Sequence, residues 1–426
     1  MADPSRRKSL VAVTLGNGLE IYDFAVYSFF SVIIGHLFFP AENATLSLLL
    51  SVATFGVGFL VRPLGSIVLG QYADRHGRKA ALQRIMLLMG IGAMLVAAAP
   101  TWKQAGIWGP IILVIGRLIQ GFSAGGEIGA ATSWLLEAGE GQSRAQRVSW
   151  QMVSQGAAAL AGAMTGFILS HSLSTEALYS WGWRVPFILG LLIIPLGFYL
   201  RSTLSETHFT EPTTVAASSS LGLLIKQHSR KLFLGILLVM KSTTSFYIMV
   251  YYLPAYMVNT LTYPASQSYW LSIGAAVITF IAPLFLGKLL DRITDLRGIM
   301  LLSIVISTLL TLPIFLAIIH HLALPLTLLL VAFDQVMANL YAIAFFILIL
   351  EAFPAPLRAS ALSVIYAVGV TLFGGFAQFN VTFLLNVFHN DLAPCAYLVF
   401  CGVVSMGAVY FWKTKHSSNT EQLYVG

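Results

Sequence analysis

Six charged residues of this 426-residue chain stand well inside apolar stretches: Glu20, Asp23, Arg117, Glu127, Lys241 and Asp334, with Arg62 a seventh nearer the end of its run. An ionised side chain in hydrocarbon costs about 2.5–3.5 kcal/mol on insertion scales, so charges kept there mark a protein-lined cavity with a function. Glu20 and Asp23 are three apart and share a helix face, with Asn17 one turn earlier. Two carboxylates that close resist ionising together, so the pair reads as a site that loads and releases protons. The other reading makes them partners of Arg62 or Arg117 that hold helices together. Arg117 presents a forked donor set suited to a carboxylate, with Gln120 on the same face. Lys241 is followed by Ser242, Thr243, Thr244 and Tyr247, a second cation among hydroxyls. Together the two cations suit an anion with two or more charges; alternatively Arg117 pairs with Glu20 or Asp23, and Lys241 with Asp334. Asp334 has Gln335 and Asn339 beside it and joins Glu20, Asp23 and Glu127 as a candidate proton carrier. Glu127 lies about 15 Å beyond Arg117 on the same helix, as a gate or relay, or as a partner of Arg62 or a basic loop. Among the tyrosines, Tyr247 and Tyr341 are placed in the cavity and the rest are read as packing.

These residues need helices to hold them. The chain is 57% hydrophobic and 10% charged, against about a quarter charged for a soluble domain. Residues 46–69 contain one charge and residues 301–319 none, runs long enough to cross a hydrocarbon core of roughly 30 Å. Apolar runs and charged breaks predict helices over 9–36, 46–70, 81–99, 108–137, 147–170 and 184–203, then 231–257, 266–290, 298–319, 322–350, 356–385 and 391–413. The fold class expected is all-α and polytopic, with twelve transmembrane helices in two six-helix halves. The halves span 1–203 and 231–426, joined by a polar linker over 204–230 that includes TEPTTVAASSS. The first apolar run lacks a small-residue cleavage pattern and is expected to be kept as a helix.

With the N-terminus inside, nineteen Lys and Arg fall in the loops on one side and two, Lys103 and Arg184, on the other. That asymmetry puts both termini in the cytoplasm and explains the net charge of +7 as topology, so no nucleic-acid partner is called for. Cys395 and Cys401 support neither a disulfide framework nor a metal set, and no metal is expected. His36, His171, His320 and His321 read as surface residues at helix ends. There is no phosphate loop or His/Glu ligand spacing, so the chain is not expected to be an enzyme.

After the second helix comes Gly70-x-x-x-Asp74-Arg75-x-Gly77-Arg78-Lys79, and the matching place in the second half carries GKLLDRITDLRG. A turn repeated at corresponding points implies two homologous halves with a cavity between them. The first copy resembles the loop signature of the major facilitator superfamily, whose fold the chain is then expected to adopt, and the turn reads as a latch on one face. GNGLEIYDFAVYSFF, FLVRPLGSIVLG, GRLIQGFSAGGEIG, WGWRVPF and LEAFPAPLRA are similar to the metabolite–proton symporter branch of that superfamily. This resemblance covers nearly the whole chain and implies a functional Arg at position 117. It also implies a monomeric symporter of the bacterial inner membrane. Its substrate is a small organic anion, a di- or tricarboxylate such as citrate, and it uses no cofactor beyond protons as coupling ion. The alternatives are a zwitterionic osmolyte such as proline or betaine, a citrate-containing siderophore, or a non-transporting receptor or scaffold. Lys241 and Asp334 are outside the shared pattern. Gly121, Gly125, Gly126 and Gly129 are expected to allow close helix contact.

Overall fold

The computed structural model describes residues 4–76, 78–125, 144–202, 217–354 and 357–412. Among them the backbone is helical almost throughout, as it must be where no water satisfies peptide groups. These described residues form twelve spans. The first, α1, is Pro4–Phe29 and continues past a bend of 62° as Ser31–Phe38. Next, α2 is Ala44–Leu60 continued by Arg62–His76, α3 is Arg78–Ala98, α4 is Trp108–Gly125, α5 is Arg144–Ser172 and α6 is Val185–Ser202. In the second half, α7 is Ala217–Phe246, continued by a π-helical turn Tyr247–Tyr252 and by Leu253–Asn259. Then come α8 Ala265–Leu290, α9 Leu296–Ile319 and α10 Leu324–Ala352. The eleventh, α11, is Arg358–Gly369 with a π-helical turn Val370–Gly375 and Ala377–Phe388, and α12 is Ala393–Phe411.

Part of the stretch expected as linker is helical. Residues 217–230 belong to α7, which breaks its helical dihedrals at His228 before entering the apolar run. Residues 203–216 lie outside the described residues.

Helices cross at glycines where backbones meet. A side chain at Gly121 of α4 would collide with the backbone of Gly58 in α2, and one at Gly125 with the backbone of Arg62. The two expected contacts therefore form, and α2 is held against α4. Gly126 and Gly129 fall outside the described residues.

The seam between the halves includes three sets of contacts. Helix α5 packs along α8, with Gly156 against the backbone of Thr279 and Phe280 and Gly287 against α5 at Gln146. Helix α1 meets α7 and α8, where Tyr269 donates to the Phe29 carbonyl at 3.1 Å and Phe29 lies edge-on to Tyr251. Helix α2 meets α11, where Thr371 donates to the Phe59 carbonyl at 3.0 Å. Gln378 of α11 adds a bond of 2.7 Å to Ser28. Along their helices, Ser28, Phe29, Phe59, Tyr269, Thr371 and Gln378 all lie on the far side of the central cavity from the arginine-rich loops.

Candidate substrate cavity and charged pairs

A cavity opens at the middle of this seam, with about 890 Å³ of space free of protein, its mouth included. The first half supplies Asn17, Glu20, Ile21 and Phe24 from α1, Arg62 from α2, and Gln151, Met152 and Gln155 from α5. From the second half come Ser242, Thr243, Phe246, Tyr247 and Tyr251 of α7, Thr279 of α8, Gln335, Asn339, Phe345 and Phe346 of α10, and Tyr366 of α11.

The first-half wall is fixed by amides. Asn17 donates to Ser154 at 2.6 Å and accepts from Gln151 at 3.0 Å, which ties α1 to α5. On the other wall Thr279 donates to the Gln335 side-chain oxygen at 3.2 Å, and Asn339 donates to the Gln335 carbonyl at 2.7 Å. Between the walls stand two charges, Glu20 and Arg62. Arg62 is the only cation among the described lining residues. It is 5% exposed, its guanidinium lies over Phe59 at 4.1 Å and Phe24 at 4.6 Å, and its Nε has no hydrogen-bond partner among the described residues. Tyr247 and Tyr366 lie within electrostatic reach of both Arg62 and Glu20.

Several expected site residues are elsewhere. Arg117 does not line the cavity. It is fully buried behind Phe24, in a cage where its guanidinium lies 4.5 Å from the rings of Phe24 and Tyr27 and 5.5 Å from Phe55. Arg117 donates to Gln120 at 2.8 Å and pairs with Asp23 at 3.5 Å, while Gln120 closes the triangle with a short bond to Asp23. Arg117, Gln120 and Asp23 are thus a packed α1–α4 cluster, and the first two are not lining residues. The expected carboxylate pair is divided: Glu20 faces the cavity and Asp23 turns to α4. One helical step of three residues is a rotation of about 60°, enough to part them.

Lys241 also misses the cavity. It is buried in the second half in the field of Asp334, Cys395 and Cys401. Asp334 is bonded to Ser307 at 2.6 Å and to Gln335 at 3.3 Å and does not reach the cavity. Thr244 back-bonds to the Met240 carbonyl at 2.7 Å, and Tyr341 donates to the Leu238 carbonyl at 2.9 Å; both are packing residues in this structure. Asn17, Glu20, Thr243 and Tyr247 line the cavity. Glu127 and Gly77 lie outside the described residues. Gly70, Asp74 and Arg75 end α2 and Arg78 and Lys79 begin α3, but the side chains of this turn are outside what the structure describes.

Sequence reasoning missed Arg62 as the cavity cation, along with Gln151, Gln155, Thr279 and Tyr366. The signal for Arg62 was present. It is the one charge in residues 46–69, and Pro63 behind it predicts the break at Val61 that begins a new helical segment there.

Residues 8–211 match the family described as "Sugar (and other) transporter". Over 94% of its length the chain is 34% identical to a citrate-proton symporter of Salmonella typhi, covering 93% of that protein. It is 32% identical to the alpha-ketoglutarate permease of Escherichia coli strain K12, over 93% of the chain and 91% of the permease. This chain belongs to the metabolite–proton symporter branch of the major facilitator superfamily. Its fold is also that of a D-xylose-proton symporter crystal structure, with a TM-score of 0.76 at 18% identity over 95% of this chain and 97% of that one. Members of the superfamily are multi-pass membrane transporters, so this chain is a transporter and not an enzyme. In a superfamily transporter of twelve spans, a cavity walled by both halves is the place for a transported molecule.

Proposed function

We propose that this symporter imports a di- or tricarboxylate of the citrate class together with protons, by alternating access of one central cavity. The observation that carries the reading is the presence of one cation and one carboxylate, Arg62 and Glu20, in a cavity whose other described lining residues are uncharged. The relatives named for citrate and for alpha-ketoglutarate support the carboxylate class.

Arg62 grips a substrate carboxylate through its fork. Ser242, Thr243, Tyr247, Gln335 and Asn339 offer donors to the remaining oxygens. An ionised Glu20 in the same cavity opposes a polyanion, and a proton on Glu20 removes that opposition. Proton and substrate therefore favour each other's binding by the same factor, the thermodynamic requirement for coupling. Asp23 and Arg117, packed between α1 and α4, form a second charge pair one aromatic ring away from Arg62. Protonating Asp23 frees Arg117 from its partner and loosens the contact between the two helices.

The nineteen-to-two loop asymmetry supports a bacterial inner-membrane location with both termini cytoplasmic. The reading takes the protein to work as a monomer, with protons as coupling ion, no other cofactor and no nucleic-acid partner. The turn Gly70–Lys79 serves as a latch on the cytoplasmic face.

Uptake of labelled citrate into proteoliposomes, with and without an inward proton gradient, tests this. Gradient-stimulated uptake by the wild type, lost in Arg62→Ala and partly retained in Arg62→Lys, is the expected result. Undiminished uptake by Arg62→Ala would remove the site. Uptake of betaine or proline in place of carboxylates would replace the substrate class.

A further inference from the structure

The second half holds a buried acid and base that the cavity does not use. Lys241 of α7 and Asp334 of α10 are 3% and 2% exposed and act on each other electrostatically. The first half also has an acid and a base on its first and fourth helices, Asp23 of α1 and Arg117 of α4, there in direct contact at 3.5 Å. In each half the first and fourth helices carry the pair, and the sign is reversed: acid then base in one, base then acid in the other. The depths correspond. Arg117 is nine residues beyond Trp108 at the head of α4, and Asp334 is ten beyond Leu324 at the head of α10. A glutamine amide also reaches each acid, Gln120 for Asp23 and Gln335 for Asp334.

Cohesion is a weak reason to keep a buried acid and base, since replacing buried charges by apolar residues is often neutral or stabilising. The surroundings of Asp334 suit two protonation states instead. Ser307 of α9 lies 2.6 Å from one carboxylate oxygen, and a hydroxyl can donate to a carboxylate or turn and accept from the acid. The charge acting on Asp334 is Lys241, which in turn feels Cys395 and Cys401 of α12. Helix α8 presents the neutral Thr279. From α5 and α11, which also pack on α10, no charged group acts on Asp334 among the described residues. The link outward is short. Gln335 bonds Asp334 with its nitrogen, accepts from Thr279 with its oxygen, and lines the cavity.

We propose that Asp334 is a second proton-coupling residue, with Lys241 as its counter-ion and Gln335 as its link to the substrate cavity. This rests on the symport reading above. A proton from one compartment adds to a carboxylate oxygen of Asp334 and leaves a neutral acid beside lysinium. Its release to the other compartment restores the carboxylate in the field of the lysinium, and only that O–H bond forms and breaks. Each cycle then carries one more proton than the first half alone provides.

The experiment compares wild type, Asp334→Asn and the charge-neutral double variant Lys241→Met with Asp334→Asn in proteoliposomes at clamped membrane potential. Citrate accumulation against a gradient of one pH unit and protons moved per citrate are measured, with citrate counterflow as the control for folding and binding. One proton fewer lowers accumulation about tenfold per pH unit. We expect that loss in both variants, with counterflow retained. A variant competent in counterflow that keeps the wild-type proton-to-citrate ratio overturns the proposal. So does loss of insertion or counterflow in both variants, which makes the pair a scaffold. If wild type itself takes up citrate without protons, or not at all, the symport reading fails first.

Discussion

The two walls of the cavity differ in kind. The first half contributes both charges, Glu20 and Arg62, on a backing of bonded amides between α1 and α5. Among the described residues the second half contributes none: its polar surface includes Ser242, Thr243, Tyr247, Thr279, Gln335 and Asn339, with phenylalanines between them. The difference separates two tasks. In the proposed mechanism, charge on one wall sets that an anion binds and that a proton accompanies it, while neutral donors on the other set which anion fits.

The largest break in this comparison comes from Arg62→Ala. Removing a charge partner in a desolvated site costs about 2–5 kcal/mol, so carboxylate uptake should fall at least about 30-fold in initial-rate assays. Next, Glu20→Gln should remove one proton from the transport ratio. The pH gradient should drive about tenfold less accumulation per pH unit, and the uptake rate should lose part of its pH dependence, while exchange of internal for external substrate remains measurable. A smaller effect belongs to the opposite wall. Asn339→Ala or Thr243→Val should raise KM about tenfold, the worth of about 1.5 kcal/mol for a bond to a charged group, with the proton-to-substrate ratio unchanged. A change in that ratio would erase the proposed division between walls. The smallest effect is predicted for Tyr341→Phe, which loses its bond to the Leu238 carbonyl and should cost about 1 kcal/mol of stability, read as thermal unfolding, with KM unmoved.

Much of the architecture was legible because a membrane span leaves long apolar runs and a loop charge bias, and neither depends on how helices pack. The charged residues were legible for the same reason. Which of them face the cavity was not. Lys241 and Thr243 are two residues apart, which turns them about 200° from each other on a helix, and sequence alone does not say which face meets the partner half. Local breaks add to the problem. The break at Val61 resets the face on which Arg62 emerges, and the π-helical turns at Tyr247–Tyr252 and Val370–Gly375 each rotate the helix beyond them. Asn17 and Glu20 are separated by no such break and both line the cavity, whereas Tyr341, two residues beyond Asn339 on a regular helix, turns away from it.

The ring of Phe24 has both guanidiniums against it, Arg62 at 4.6 Å and Arg117 at 4.5 Å. One benzyl group thereby serves as the common bearing of the cargo-facing cation and of the cation clasped by Asp23. A pull on Arg62 by arriving cargo cannot leave that bearing undisturbed, and a release of Arg117 by an arriving proton shifts it from behind. Mechanical news can pass between the two sites through a single side chain that carries no charge of its own.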